Sequence, residues 1–224
     1  VIQQSAWLID PHWTIIPVCI AWFYFSHPTA VYSLRAWTTL ILVHIWSCRL
    51  TYNYLRREEW QFGVREDWRY ADMRERFGAW FCIISFFVVS VAQHPMLVGM
   101  TLPLCAAMLG FSSPLTPLDA IAFLCCVVGI IVARAADNQL FEYMSQGESK
   151  PLLLDSGLWR YSRHPNHFGE QLWWIGLALF GVAATGGALW PFLGVLYNHP
   201  IDTFATLPLI EERMLRRPER RELY

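Results

Sequence analysis

The chain has 224 residues and a mass of 26.0 kDa; 55% of its residues are hydrophobic, 16% are charged, and its mean hydropathy is +0.30. This composition indicates that lipid, rather than water, is the solvent of the fold. The formal net charge of -1 and the pI near 6.7 argue against a nucleic-acid partner, because proteins that neutralise phosphates carry a concentrated basic excess.

Apolar segments long enough to cross the hydrocarbon core, about 20 residues each, recur along the chain. We predict an all-α fold, a polytopic transmembrane helical bundle with about six spans, in one domain covering residues 1–224. The predicted spans are residues 9–25, 30–52, 79–108, 120–135, 167–183 and 189–207. The third contains Pro95 and Pro103, which break or kink helices, so it is either one tilted helix with a surface segment or two short helices.

Basic residues fall into three clusters, at residues 49–76, 134–163 and 213–221, with Arg35 apart from them. Loops that face the cytoplasm carry an excess of Lys and Arg. All three clusters share one face only if an even number of crossings separates each pair, which favours a single spanning unit in residues 79–108. The bundle is therefore predicted to have one charged, cytoplasmic-type face.

The segment Gly157–Glu170, with the sequence GLWRYSRHPNHFGE, leads into the fifth span. Pro165 suits the first turn of a helix, and that helix end offers free backbone N–H groups and a partial positive charge to an anion. Arg160, Arg163 and His164 add fixed or titratable positive charge just ahead of it. Phosphate groups of a nucleotide cofactor are therefore predicted to bind here.

Asn166 and Glu170 are four residues apart and share one helix face, where they would hydrogen-bond a ribose, a nicotinamide amide or an amine. The alternative is a basic interfacial loop that touches lipid phosphates, with Glu170 paired to Arg163 or to a neighbouring helix. An acid near the start of a span is rare and is usually functional or paired. The free-energy cost of placing Glu170 near the start of a span therefore favours a functional site.

Two further groups lie at predicted helix ends. Arg49 shares a helical stripe with Arg56. A solvated helix end with i,i+4 salt bridges explains most of that stripe better than a binding site does, and Arg49 is the exception because it lies deepest against the apolar run of the second span. Asp137 and Asn138 begin a polar connection predicted for residues 137–165. Either they would hydrogen-bond to hydroxyls or an amide of a cofactor, or they would cap the preceding helix.

The chain resembles the steroid 5-alpha-reductase-like membrane family, in the branch described as a domain of unknown function with a 3-oxo-5-alpha-steroid 4-dehydrogenase C-terminal pattern. The resemblance covers nearly the whole chain. Residues 7–13 (WLIDPHW) resemble the opening of that branch, and residues 66–70 (EDWRY) with Arg74 resemble its first polar loop. Gly157–Glu170 resembles its most diagnostic block.

The resemblance implies a helical membrane reductase that binds NADPH from the cytoplasmic side. It would reduce a carbon–carbon double bond conjugated to a carbonyl in a steroid-like or isoprenoid lipid, in the endoplasmic reticulum or, alternatively, an organelle inner membrane. His167 stands where the family usually has Tyr, which puts activity in question. No metal site is predicted and the catalytic residue is unassigned. The predicted cofactor-binding residues are Arg49, Asp137, Asn138, Arg160, Arg163, His164, Asn166, His167 and Glu170.

Two other functions remain open. A membrane methyltransferase of the isoprenylcysteine or phospholipid type would use Arg163-His164-Pro165 and the Glu211-Glu212 pair to bind S-adenosylmethionine. A catalytically inactive accessory subunit of a larger membrane complex would explain His167. If the protein is an enzyme, its expected partners are membrane lipids and a hydrophobic small-molecule substrate. If it is an accessory protein, its expected partners are the other subunits of the membrane complex.

Overall fold

The computed structural model describes residues 9–61, 68–109 and 113–223, and this part of the chain is helical, with one isolated bridge between Ala30 and Leu109 and no strand. The predicted all-α class is confirmed. The α-helices are α1 (Ile9–Phe25), α2 (Leu34–Arg57), α3 (Trp68–Phe77), α4 (Phe81–Ser85), α5 (Gln93–Met108), α6 (Pro117–Ser145), α7 (Pro165–Ala184), α8 (Leu193–Ile201), α9 (Leu207–Leu215) and α10 (Pro218–Arg221).

Two helical stretches in the described ranges are long and apolar enough to cross a membrane, Trp68–Met108 with 41 residues and Pro117–Ser145 with 29. The first joins α3, α4 and α5 through a 3-10 turn at Gly78–Trp80 and a π segment at Phe86–Val91. The structure thus supports a membrane-associated helical protein. The count of six crossings and the single charged face stay predictions.

Several helix boundaries differ from the predicted ones. α1 coincides with the predicted first span, whereas α2 begins at Leu34 rather than at residue 30, because the Ser33 side chain accepts the Ala36 N–H and caps the helix. α6 continues to Ser145, so the prediction that the polar connection begins at residue 137 is wrong. Asp137 and Asn138 therefore lie within a helix, where partners on other helices satisfy them.

Neither proline interrupts the third predicted span. Pro95 is the third residue of α5, within the first turn, where a backbone N–H has no partner inside the same α-helix. Pro103 lies inside α5, and a Cβ added to Gly181 of α7 would come within 3.0 Å of its Cα. The glycine opposite leaves room for the proline, and the irregular turns lie earlier, before α5 begins.

The closest helix packing joins α6 to α7 across facing small residues. A Cβ added to Gly169 would lie 2.5 Å from the Ala133 backbone nitrogen, and one added to Gly129 would lie 2.6 Å from that of Trp173. Small residues let two helix backbones approach in this way, and the contact fixes their register. That register brings the polar residues of α6 and α7 to the same end of the helix pair.

A buried ion pair anchors the opposite end. Arg35 Nε donates to Asp119 Oδ1 at 2.6 Å and Arg35 Nη2 to Oδ2 at 2.9 Å, with 1% and 8% of the two side chains exposed. The guanidinium also donates to the Ser113 and Pro114 carbonyls, and Ser113 Oγ donates to the Ala183 carbonyl. These bonds join α2, the start of α6 and the end of α7.

We expect Gly169→Ala to lower the melting temperature of the detergent-solubilised protein by about 5 °C, since overpacking costs about 1–3 kcal/mol. Gly99→Ala is the matched control in another helix, because its Cβ would meet Gly194 Cα at an ordinary 3.4 Å. That variant should be neutral or slightly stabilising, since alanine favours helices. Equal melting temperatures for the two variants, measured by circular dichroism, would contradict the close α6–α7 contact.

Candidate functional site

Arg49 lies at the centre of a buried polar network that connects three helices. Its Nη1 donates to Asp137 Oδ2 on α6 at 2.9 Å, and its Nη2 donates to Glu170 Oε1 on α7. Trp46 Nε1 donates to the other oxygen of Glu170 at 2.8 Å. The Arg49 and Asp137 side chains are 5% and 7% exposed. We call Trp46, Arg49, Asp137 and Glu170 the buried network.

Stacked indoles hold this network in place. Trp46 stacks on Trp173 with ring centroids 5.8 Å apart and planes 7° from parallel, and it meets Trp174 edge-on at 5.0 Å. Trp46 and Arg49 are three residues apart on α2, as Glu170 and Trp173 are on α7, so each charged residue shares a helix face with a stacked ring. The aromatic contact therefore positions the arginine against the glutamate.

Several polar atoms near the start of α7 are buried without a hydrogen-bond partner among the described residues: Arg49 Nε, Asn166 Oδ1 and Trp173 Nε1 beside the network, and Gln171 Oε1 on another face of α7. Asn166 also lies within hydrogen-bonding reach of the Asp137 carboxylate. Each buried polar atom without a partner costs about 1–3 kcal/mol. Such orphaned donors and acceptors indicate a place where a polar ligand or water binds.

Asn138 lies one residue further along α6, at the rim of the network. Its Oδ1 accepts a hydrogen bond from Arg56 Nη1 at 2.7 Å; the same guanidinium donates to Asn53 Oδ1 and lies over the Phe141 ring at 4.6 Å. The Asn138 side chain is thus held by α2, and its amide nitrogen keeps both donor positions for a ligand.

At the start of α7, His164 turns toward the C-terminal helices, away from the buried network. His164 Nε2 lies 3.1 Å from Glu211 Oε1, and Arg163 Nη1 lies 3.6 Å from the same oxygen. Glu170 therefore has Arg49 of the neighbouring helix α2 as its partner, whereas Arg163 pairs with Glu211. Pro165 occupies the first turn of α7, as the sequence predicted, and His164 precedes it without a side-chain capping hydrogen bond.

A cavity of about 960 Å³ opens between the end of α6, the connection at residues 150–163 and helices α9 and α10. Two acidic residues, Asp72 and Asp155, line it. Its seven basic residues are Lys150, Arg160, Arg163, Arg213, Arg216, Arg217 and Arg220. We call it the basic cavity; its charge and size suit a ligand with several phosphate groups.

Hydrogen bonds hold the wall of the basic cavity against α6. Trp159 Nε1 donates to the Ala136 carbonyl at 3.1 Å, and the Leu158 N–H donates to Gln139 Oε1 at 3.0 Å. On the far wall, Arg213 and Arg216 both pair with Asp72 of α3. Leu140, which lines the basic cavity, is three residues from Asp137 on α6, so the cavity and the buried network lie about one helical turn apart along this helix.

The nine predicted residues therefore fall into three places. Arg49, Asp137, Glu170 and Asn166 come together in and beside the buried network, with Asn138 at its rim. Arg160 and Arg163 line the basic cavity. His164 and His167 contact acidic residues on the C-terminal helices.

Sequence reasoning missed Trp46, Gln171, Asp202 and Arg220. Asp202 carried a detectable signal, because it is an acid inside an apolar run. Trp46 carried none beyond its position within a span. Trp7, Leu8, Glu66 and Asp67, which contributed to the family resemblance, lie outside the described residues.

Comparisons with known proteins identify a family but no activity. The family model for the protein of unknown function DUF1295 matches residues 1–224. An uncharacterized protein of Schizosaccharomyces pombe is 28% identical over 203 residues, which cover 81% of this chain. The chain spans 59% of the length of that relative. No solved structure matches the chain.

We expect Arg49→Met to lower the free energy of unfolding by about 3–5 kcal/mol, because it leaves two buried carboxylates without their cation. Adding Asp137→Asn and Glu170→Gln should restore part of that loss, since the repelling charges are then gone. Arg57→Met is the matched control on the same helix, with 54% of its side chain exposed. Thermal unfolding in detergent gives the comparison, and a triple variant no more stable than Arg49→Met would contradict the paired charges.

Burial lowers the pKa of His164 from its ordinary value of 6.5, although the hydrogen bond with Glu211 opposes that shift. The unfolded chain therefore takes up the His164 proton first as the pH falls, and the protein loses stability below about pH 6.5. His164→Gln should flatten the melting temperature between pH 7.5 and pH 5.5. His27→Gln, in an exposed loop, should keep the wild-type dependence, and a similar flattening there would contradict the assignment.

Proposed function

The chain belongs to the DUF1295 family of proteins of unknown function, and we propose that it is an NADPH-dependent membrane reductase. Its substrate is a steroid-like or isoprenoid lipid in which a carbon–carbon double bond is conjugated to a carbonyl. The basic cavity beside the buried network carries this proposal. The relation to the steroid 5-alpha-reductase-like family is part of the same proposal.

The basic cavity fits the phosphates of NADPH. A volume of about 960 Å³ lies within the range of about 300–1,000 Å³ that small-molecule sites occupy. NADPH carries a pyrophosphate and a 2′-phosphate, so its negative charge matches the basic excess of the lining. Arg220 Nε is buried without a partner among the described residues, and Arg160 forms no ion pair there. Both are available to a phosphate.

The orphaned atoms fit the other end of the cofactor. Arg49 Nε is a donor and Asn166 Oδ1 is an acceptor, and a primary carboxamide such as that of nicotinamide satisfies both types. Glu170 and Asp137 hold the Arg49 guanidinium in one orientation, which a planar ligand requires. Bound NADPH would supply a hydride, while the protein residues orient it and exclude water.

The membrane arrangement we propose has six helical crossings: α1, α2, the stretch Trp68–Met108, α6, α7 and residues 190–215. The basic cavity then faces the cytoplasm, where NADPH is available, and the lipid substrate enters from the bilayer. The endoplasmic reticulum is the proposed location.

We expect Arg163→Ala, His164→Ala and Arg220→Ala each to weaken NADPH binding about 10-fold or more, because a charge-assisted hydrogen bond contributes about 1.5–3 kcal/mol. Arg57→Ala is the matched control, since its exposed guanidinium pairs with Glu58 away from the cavity. Isothermal titration of the purified protein in detergent gives the dissociation constants. Arg163 and Arg220 line the basic cavity and His164 follows Arg163 in the chain, so unchanged affinity in all three variants would refute the assignment.

An S-adenosylmethionine-dependent methyltransferase of the isoprenylcysteine or phospholipid type is the second candidate. One observation favours it: Arg163 and His164 both contact Glu211, so the Arg-His-Pro block and the Glu-Glu pair lie together. Titration with S-adenosylmethionine decides between the two enzymes, and tighter binding than NADPH would reverse their order. A protein that binds neither cofactor would be the accessory subunit.

A further inference from the structure

A second polar cluster lies on the side of α7 that faces the C-terminal helices. His167 Nδ1 lies 2.9 Å from Asp202 Oδ1, and Gln171 Nε2 donates to Asp202 Oδ2 at 3.1 Å. His167 and Gln171 are four residues apart and share one face of α7. Their neighbours Asn166 and Glu170 face the buried network instead. The start of α7 thus separates two polar sites.

Asp202 owes its position to an irregular helix. It is the first residue of a π segment, Asp202–Thr206, between α8 and α9. A π turn shifts the register of the residues around it, and such turns occur frequently at functional sites. The surroundings are apolar, with Phe204 79% and Tyr197 49% exposed on the same stretch. An acid in such a position requires a counter-ion.

In the described chain, Asp202 forms no ion pair with an Arg or Lys, and the His167 ring lies at hydrogen-bond distance from its carboxylate. A carboxylate stabilises the imidazolium form, in which both ring nitrogens carry protons. Nδ1–H then donates to Asp202, and Nε2–H has no partner among the described residues. With 25% of the His167 side chain exposed, that proton is accessible to a ligand.

On the basis of the reductase function proposed above, we propose that His167, held by Asp202 and Gln171, binds the carbonyl oxygen of the lipid substrate and donates a proton to it. His167 is then a catalytic residue, and Asp202 and Gln171 are positioning residues. The substrate carbonyl lies between α7 and the stretch that contains α8.

The step balances with NADPH as the reductant. A hydride adds to the β carbon, the electron pair of the C=C bond shifts to form the enol, and the carbonyl oxygen takes the Nε2 proton of His167. The imidazole is left neutral with its Nδ1–H still bonded to Asp202, and solvent restores the proton. The enol then isomerises to the saturated ketone.

Several titratable groups surround this proton. The His164 ring meets the His167 ring edge-on at 5.8 Å between centroids, and His164 itself contacts Glu211. His199 of α8 interacts electrostatically with Asp202. A pH profile therefore has to be compared between variants at His167, because the neighbours titrate in each of them.

The test measures NADPH oxidation by the full chain in lipid nanodiscs, with a 4-ene-3-keto steroid and an unsaturated isoprenoid ketone as probes. His167→Phe and Asp202→Asn should each lower kcat about 100-fold or more, the usual contribution of a general acid. His167→Tyr should stay within about 10-fold of wild type. Its activity should extend to higher pH, because a phenol keeps its proton to higher pH than an imidazolium does.

A second readout needs no turnover. Hydrogen bonding to an enone oxygen shifts the ultraviolet absorption band of the enone to longer wavelength, so each probe should show this shift on binding to wild type and to His167→Tyr without NADPH. His167→Phe should abolish the shift. His27→Phe, in an exposed loop, is the matched control and should behave as wild type. Melting temperatures confirm that each variant is folded.

The outcomes separate the two proposals. A wild-type protein that oxidises NADPH and a folded His167→Phe variant with unchanged kcat and an unchanged absorption shift would overturn the role of His167 alone. A wild-type protein that neither binds NADPH nor turns over either probe would overturn the reductase function, and the proton donor with it.

Discussion

The arrangement of the charged end depends on one arginine held between two carboxylates. Arg49 lies almost completely buried, and removing a guanidinium from water is offset only if each of its partners is well placed. Asp137 comes from α6 and Glu170 from α7, so the ion pairs form only when three helices reach the same level. The interaction therefore specifies which helix ends meet, and it does so where the proposed cofactor binds.

The buried charges also explain why the site is shaped by packing as much as by polarity. Glu170 is positioned by an indole that stacks on another indole, and the α6–α7 register is set by glycines that leave no space for a methyl group. A charged residue so close to apolar surface has little room to move. Such rigidity suits a site whose ligand is planar and must be held in one orientation.

The sequence predicted the class of fold, the first helix, the start of α7 and most of the polar residues that converge. These features follow from local rules: hydrophobic length, proline at a first helical turn and the cost of an intramembrane acid. It did not predict that α6 would continue past Asp137. By local rules a run of polar residues ends an apolar helix, and the partners on other helices that satisfy the Asp137 and Asn138 side chains cannot be seen in the sequence. Nor did it predict the basic cavity, whose walls come from segments far apart in the chain, or the dyad of His167 and Asp202, which depends on a π turn.

The ion pair of Arg35 and Asp119 has a mechanical consequence for α2. It fastens that helix to α6 at one end, while Arg49 lies 14 residues further on, about 21 Å along the axis at 1.5 Å per residue. If α2 tilted by about 5° around Arg35, Arg49 would move sideways by about 2 Å. A sideways displacement of that size would break the hydrogen bonds of Arg49 with Asp137 and Glu170, so the ion pair at the far end of α2 helps to keep them aligned.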